Sequence, residues 1–290
     1  MDKITGTGVA LITPFNEDFS IDFTSLEKLI NHQIDGEVDY LVVMGTTGES
    51  VVLSKSEKKE VVNFCKKINA GRLPIILGLG SNNTFALVEE IKSTDFDGID
   101  GVLSVSPYYN KPTQDGIYLH YKMIAEVCPL PIILYNVPGR TASNITSETT
   151  LCLANDFDNI VAVKEASGDL QQIAEIIEKR PANFLVLSGD DGLTPKMIEM
   201  GGDGVITVIG QSHPQIFSDM VRAGLAGDFE KANQLHDKLN PIYEPLYIDG
   251  NPAGIKATLN IMGICKNVLR PPLVGVTEET YNNLKRFIEH

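Results

Sequence analysis

Nowhere in this sequence do apolar residues run for the roughly 18 positions that a membrane-spanning helix needs. The opening MDKITGTGVALITPF also lacks the basic, apolar and small-residue regions of a signal peptide. A soluble, non-exported protein with no membrane partner is expected. Positive charge is scarce: 24 Lys and Arg against 38 Asp and Glu leave a formal net charge of −14. Such a chain cannot easily supply the clustered basic surface that a phosphate backbone needs, so no nucleic-acid partner is expected. Cysteine is limited to Cys65, Cys128, Cys152 and Cys265, far apart and without a C-x-x-C pair. That argues against a zinc ribbon and a disulfide framework and reads as reduced core thiols in the cytoplasm. The 5 His show no H-x-x-x-H spacing, so no metal site is expected. Gly78-Leu79-Gly80 runs on to Asn83 where a dinucleotide fingerprint needs its third glycine. No low-complexity tract is present.

What the sequence does hold is an alternation. Short apolar, β-branched runs bounded by Gly or Pro occur at 8–12, 40–44, 74–80, 101–106, 131–137, 159–166, 184–189 and 204–210. They are apolar on both alternating faces, as parallel strands covered on both sides must be. Between them lie helical periodicities with start signals: the capping-box pattern Ser54-Lys55-Ser56-Glu57, Thr146-Ser147, and Gly168-Asp169. The runs start about 20 to 34 residues apart, the span of a strand, a loop, a helix and a loop. Eight such units predict a closed (β/α)8 TIM barrel at 1–226, completed by a helix from about Pro214 to Ala226. Residues 227–290 read as a small helical extension: FEKANQLHDKL, then NPAGIKATLNIM after a Pro-rich break, then TEETYNNLKRFI.

In such a barrel the chemistry sits at the C-terminal ends of the strands, and the sixth run, NIVAVKEA, places a lysine there. Side chains alternate, so Ala162, Lys164 and Ala166 share one face and Val161, Val163 and Glu165 the other. Glu165 therefore cannot neutralise Lys164, and the small alanines leave room beside an inward-pointing amine. Such a lysine pairs with a carboxylate from elsewhere, escapes to water at the strand end, or serves as a nucleophile, since an apolar lumen disfavours the ammonium form. The fifth run places Tyr135 on the inward face with Ile133, and Arg140 on the loop that follows. A phenol there can move protons to and from an imine, and a guanidinium can hold a carboxylate bidentately. Gly45-Thr46-Thr47-Gly48-Glu49 brackets two hydroxyls with glycines, which suits a small anion or an ordinary turn. The adjacent Tyr108 and Tyr109 cannot face the same way, and one of them is expected at an interface. Asp190 and Asp191 read either as an acid/base pair or as helix caps. Gly201-Gly202-Asp203-Gly204 precedes the eighth run and reads as a tight turn on the face opposite the site.

GTTGE, SPYYNKP, LYNVPGRT, VAVKEASGD, LSGDD and GVITV, in this order and spacing, resemble the dihydrodipicolinate synthase family within the pyruvate-dependent Schiff-base lyases and aldolases. The resemblance covers essentially the whole chain. It implies condensation of pyruvate with L-aspartate 4-semialdehyde to 4-hydroxy-tetrahydrodipicolinate, the first committed step towards diaminopimelate and lysine. No metal or organic cofactor is implied, and the implied assembly is a homotetramer built as a dimer of dimers. By motif match, Lys164 forms the Schiff base, Tyr135 is the central proton carrier, and Thr46 links it to Tyr109 reaching in from a neighbouring subunit. Thr47 helps bind the pyruvate carboxylate, Arg140 binds the semialdehyde carboxylate, and Gly189 and Ile206 give backbone contacts. Sibling activities, N-acetylneuraminate lyase and 2-keto-3-deoxy sugar acid aldolase, share the lysine and tyrosine. A non-catalytic keto-acid sensor is the reading from another class. Family members inhibited by lysine carry two histidines and a glutamate where Lys55, Lys58 and Ala86 stand here, although Ser50, Asn82 and Tyr108 remain. Cations in a pocket meant for lysine imply weak or absent feedback in this regulatory cleft.

Overall fold

The computed structural model describes residues 4–289; Met1, Asp2, Lys3 and His290, at the outer ends of the two expected regions, lie outside the described residues. Eight parallel strands close in sequence order into a barrel: β1 (Gly6–Ala10), β2 (Tyr40–Val43), β3 (Ile75–Gly78), β4 (Gly101–Val105), β5 (Ile132–Asn136), β6 (Ile160–Glu165), β7 (Leu185–Ser188) and β8 (Gly204–Thr207). The first strand begins two residues before its apolar run because closure pairs Gly6 with Gly204, which an apolar pattern does not register. Gly204 has φ +149°, and a Cβ there would lie 2.2 Å from the Gly6 carbonyl oxygen, so only glycine lets the last strand meet the first.

Around the barrel run α1 (Phe23–Asp35), α2 (Lys55–Asn69), α3 (Thr84–Ser93), α4 (Gln114–Ala125), the short α5 (Pro138–Thr141), α6 (Ser147–Asp156), α7 (Leu170–Lys179), α8 (Thr194–Glu199) and α9 (Pro214–Leu225). The sequence's start signals act as expected: Ser54 and Glu57 form a reciprocal capping box on α2, Thr146 caps α6, and Asp169 caps α7. Two cores result. One lies between strands and helices; the other fills the lumen with Ala10, Tyr40, Val42, Ile76, Leu103, Ile133, Tyr135, Ala162, Leu187 and Ile206.

The extension consists of α10 (Phe229–Tyr247), α11 (Ala253–Ile261) and α12 (Glu278–Glu289). α10 packs along α9 and α8, and most of α11 is buried. Among the described residues no helix is long and apolar enough to cross a membrane.

Three expectations need correction. The Pro-rich break does not occur: α10 continues through Pro241 and Pro245 to Tyr247. The prolines remove donors for the carbonyls of Asp237 and Pro241, but burial of Leu239, Ile242 and Leu246 holds the helix together. The break comes instead at Ile248–Pro252, where Gly250 takes φ +92°. Val161, expected on the outer side, packs against the lumen core, because the β5–β6 ladder shifts register there: Ile132 pairs with Ile160 and Ile133 with Ala162. Finally, all four cysteines are free, yet Cys152 is exposed, lying off the face that Thr149, Thr150 and Leu153 bury.

The extension's loop also returns to the barrel. Arg270 donates to Glu57 and to the carbonyls of Phe19 and Val52. The hydrogen bond from Arg270, with the Ser54 backbone N–H, holds the Glu57 carboxyl down to about 2 from an ordinary 4.5. A carboxyl depressed in the folded state stabilises above its unfolded pKa and loses that contribution as pH falls through the folded one. Glu57→Gln is therefore expected to cost about 1 kcal/mol near neutral pH. The gap from the parent should shrink between about pH 4.5 and 2. Thermal denaturation of both proteins near pH 7 and about pH 3 checks this; a gap of constant size would contradict it.

Candidate active site

β6 carries Ala162 and Lys164 into the lumen, and β5 carries Ile133 and Tyr135 beside them, with Tyr135 in register with Lys164. Lys164 is 5% exposed, so its head does not escape to water, and no carboxylate pairs with it among the described residues. Its Nζ lies 4.3 Å from the centroid of the Tyr135 ring, a cation–π distance. Two of the three fates open to this lysine are thereby removed.

The chain holds a second buried lysine that serves as a control. Lys256 on α11 is fully buried, forms an ion pair with Glu49, donates to the Val268 carbonyl at 2.9 Å, and stands 4.1 Å from the Phe15 ring centroid. Its ammonium is satisfied as a structural lysine must be. Lys164 has no such set of partners.

Space around Lys164 is kept by small residues. A Cβ at Gly189, the residue after β7, would lie 3.1 Å from Lys164 Cε and 2.6 Å from Ala166 Cβ. Glycine is thus needed there to let the lysine side chain pass. Ile206 of β8 is buried and belongs to the lumen core.

After β2, Thr46–Gly48 forms a single 3-10 turn and Glu49 follows in the left-handed region at φ 51°. Thr46 is exposed and Thr47 buried. Thr13 Oγ1 donates to the Gly48 carbonyl at 2.7 Å, and Glu49 accepts from the Arg270 backbone N–H at 3.1 Å as well as pairing with Lys256. The turn is pinned on both sides.

Arg140, exposed on α5, donates through Nη2 to the Asn251 carbonyl at 3.3 Å. The Asn251 side chain donates through Nδ2 to Thr47 Oγ1 at 2.9 Å. One residue of the extension therefore spans two of the expected substrate-binding positions. Sequence reasoning missed it: Asn251 is 204 residues from Thr47, and IDGNPAG carries no chemical motif.

A cavity of about 850 Å3 opens over this layer, with Thr46, Tyr135 and Arg140 on its wall. It continues between α2 and α3, where Ser50, Lys55, Lys58, Ala86 and Tyr108 line it. Asn82 is off the wall but donates to the Tyr108 carbonyl at 3.2 Å. Lys164, Thr47, Gly189 and Ile206 also lie off the wall, Lys164 against the Tyr135 ring. Tyr109 faces away from the cavity: it is 89% exposed, at φ 70°. Of the tyrosine pair it is the exposed one, held in a backbone conformation that costs energy for a non-glycine residue.

Asp190 and Asp191 do not form an acid/base pair. Asp190 Oδ1 accepts the backbone N–H groups of Gly192 at 2.9 Å and Leu193 at 3.2 Å, a turn-capping role. Asp191 is buried and accepts Val208 N at 3.1 Å, Ile209 N at 2.9 Å and the Tyr247 hydroxyl at 2.5 Å. Burial pushes its carboxyl up, and these donors pull it back. Each of the two is held by its own separate partners. Gly201-Gly202-Asp203-Gly204 is the expected turn into β8: Asp203 accepts from Val186 N at 2.8 Å and pairs with Arg180. Among the described residues no three His, Cys, Asp or Glu side chains converge on a point that could hold a metal ion.

The sequence model of the Dihydrodipicolinate synthetase family matches residues 3–290 of this chain. The chain is 52% identical over 287 residues to the 4-hydroxy-tetrahydrodipicolinate synthase of Flavobacterium psychrophilum, covering 99% of this chain and 98% of that protein. Among solved structures, the dihydrodipicolinate synthase of Thermotoga maritima superposes with a TM-score of 0.96 at 39% identity, covering 99% of this chain and 98% of the other. A monomeric dihydrodipicolinate synthase variant superposes with a TM-score of 0.96, also at 39% identity, covering 98% and 96%.

Proposed function

The chain belongs to the dihydrodipicolinate synthetase family, and we propose that it is a lyase condensing pyruvate with L-aspartate 4-semialdehyde to 4-hydroxy-tetrahydrodipicolinate, through a Schiff base on Lys164. The reading agrees with the synthase name of its relative from Flavobacterium psychrophilum. The observation that carries the chemistry is a buried lysine with no carboxylate paired to it among the described residues, set against a tyrosine ring.

Lys164 Nζ, as the neutral amine, attacks the pyruvate ketone carbon, and the carbinolamine loses water to give the imine. A methyl proton leaves, and the resulting enamine carbon attacks the aldehyde carbon of the semialdehyde. The product's own amine then displaces the lysine and closes the ring, releasing Lys164. The sum consumes one molecule of each substrate and releases one water. Every step moves a proton over a short distance, the task we assign to Tyr135, with Thr46 and a partner subunit's copy of Tyr109 extending the relay. Thr47 holds the pyruvate carboxylate and Arg140 the semialdehyde carboxylate, with Asn251 fixing both side chains. Gly189 and Ile206 contribute backbone contacts. Arg140 beside this cavity favours a carboxylate-bearing aldehyde over the sugar partners of sibling aldolases.

The assembly that supports Tyr109 is a homotetramer made of two tight dimers. Tyr109, Val51 and Phe85 are large apolar or aromatic side chains exposed on the single chain, and Asn82 ties the start of α3 to the tyrosine loop. We also place the enzyme in the cytoplasm, where its free thiols stay reduced, and treat 1–226 and 227–290 as catalytic barrel and helical extension.

Pyruvate with borohydride should attach a pyruvate-derived mass to Lys164, and Lys164→Arg should abolish it. Tyr135→Phe should lower kcat by about 100-fold or more. Folded protein that takes up no adduct at saturating pyruvate would sink the enzymatic reading and the sensor alternative would gain. Sedimentation should show a tetramer, and Tyr109→Phe should reduce kcat without changing that mass; a fully active monomer would contradict the shared relay. The cavity wall carries Glu89, Glu90 and Asp95 as well as lysines, but Lys55 and Lys58 stand where lysine-inhibited family members carry histidines, and we read them as repelling a cationic ligand, so millimolar lysine should leave the initial rate nearly unchanged. Strong inhibition below a millimolar would overturn that expectation.

A further inference from the structure

Lys164 and Tyr135 face inward, and the residue after each faces outward. Glu165 follows Lys164, Asn136 follows Tyr135, and the two pairs are successive steps of the same ladder: Tyr135 with Lys164, then Asn136 with Glu165. On the outer side the Glu165 carboxylate accepts Asn136 Nδ2 at 3.1 and 3.0 Å, one contact to each oxygen. It also accepts Gln172 Nε2 of α7 at 2.9 Å and the Ser167 backbone N–H at 2.8 Å. All are nitrogen donors, and no cation pairs with this buried carboxylate among the described residues.

Asn136 is equally constrained. Its Oδ1 accepts the Ile145 N–H at 2.9 Å and its Nδ2 also donates to Asn144 Oδ1 at 2.8 Å, so the amide can point only one way. Asn144 in turn donates to Gln172 Oε1 at 2.7 Å. The far end of the same ladder is where the register shifts, between Ile132 and Ile133. Backbone pairing at that end does not by itself hold β6 level with β5.

We propose that Glu165 and Asn136 are positioning residues: their bond on the outer face of the barrel sets how Lys164 Nζ stands against Tyr135 in the lumen. This rests on Lys164 and Tyr135 acting as described above. Sliding β6 along β5 would move the amine off the phenol, and a misplacement of about 1 Å in such a pair can cost about 100-fold in rate. The outer bond resists that slide without touching substrate.

Glu165→Gln keeps shape but turns an amide N–H2 towards a ring of donors, breaking at least one bond of the clamp. It should lower kcat by about 10- to 100-fold, slow borohydride trapping of pyruvate in parallel, and leave the KM for the aldehyde within about threefold. The exchange N136D with E165Q offers a donor to an acceptor again and should recover about tenfold of the lost kcat. Folded Glu165→Gln with kcat within about twofold of the parent would overturn the proposal. So would an exchange variant that regains thermal stability without regaining rate, since that is the behaviour of a merely structural bond. If Glu165→Gln does not fold, Glu165→Asp, which keeps the acceptor but draws it back from Asn136 by one methylene, should still slow trapping by about threefold, and an unchanged rate would overturn it. The parent's own adduct separates the two claims: no adduct on Lys164 in the parent refutes the Schiff-base reading itself, whereas a normal parent adduct with an unaffected variant refutes only the clamp.

Discussion

A buried lysine with no carboxylate paired to it among the described residues governs the upper layer of this barrel. Taking a charge out of water costs several kcal/mol unless it is paired, and the chain shows elsewhere that it can pair one: Lys256 has Glu49, a carbonyl and an aromatic face. Among the described residues Lys164 has the face of Tyr135 and no paired carboxylate. Its surroundings are made small instead of acidic, by Ala162, Ala166 and Gly189, where a Cβ would crowd the lysine's own Cε. A carboxylate in that space would stabilise the ammonium and block the amine's attack. The site is therefore defined as much by the missing acid as by the residues present.

Such a lumen needs loops that keep their shape over it, and the extension provides that. Three ties run from it to the strand ends. Lys256 and the Arg270 N–H hold Glu49 behind the Thr46–Gly48 turn. Asn251 holds Thr47 and Arg140. Tyr247 donates to Asp191, which gathers the N–H groups of Val208 and Ile209 after β8. Two of these ties involve buried ionised or ionisable groups, for which loss of one partner is more damaging than the bond is favourable. α10, α11 and the loop carrying Arg270 thus brace the strand ends at the candidate site, while α10 packs beside α8 and α9.

The barrel and the inward pair Lys164 and Tyr135 were legible because both depend on local pattern. Period-two alternation puts Lys164 and Tyr135 inward with no knowledge of the fold beyond strand direction, and capping signals at Ser54, Thr146 and Asp169 mark helix starts by short-range hydrogen bonds. What escaped depends on long-range contact or on competition between terms. Asn251 and Lys256 meet their partners only after the extension folds back. The prolines of α10 were overruled by burial of its apolar face, and Val161 moved to the lumen because an irregular ladder step breaks the alternation that reading relied on. Asp191 looked like an acid and is a backbone anchor, a distinction that needs the positions of Val208, Ile209 and Tyr247.

The division of labour between strands and loops follows from the same physics. Lys164 and Tyr135 are partners on one ladder step, where backbone bonds fix their Cα positions and the outer faces of the same strands remain free to brace them, as the little displacement tolerated by the covalent chemistry we propose requires. The substrate recognition we propose for Arg140 tolerates more adjustment, and Arg140 stands on a short loop helix, exposed and bonded at 3.3 Å to the Asn251 carbonyl. A change in aldehyde preference can therefore be made at Arg140 or along the cavity between α2 and α3 without disturbing the ladder. The covalent step we propose is tied more closely to the scaffold, because Glu165 is bonded both to Asn136 beside Tyr135 and to Gln172 of α7. The covalent step and the aldehyde recognition we propose thus rest on separate parts of the fold, the first on paired strands and the second on a loop helix.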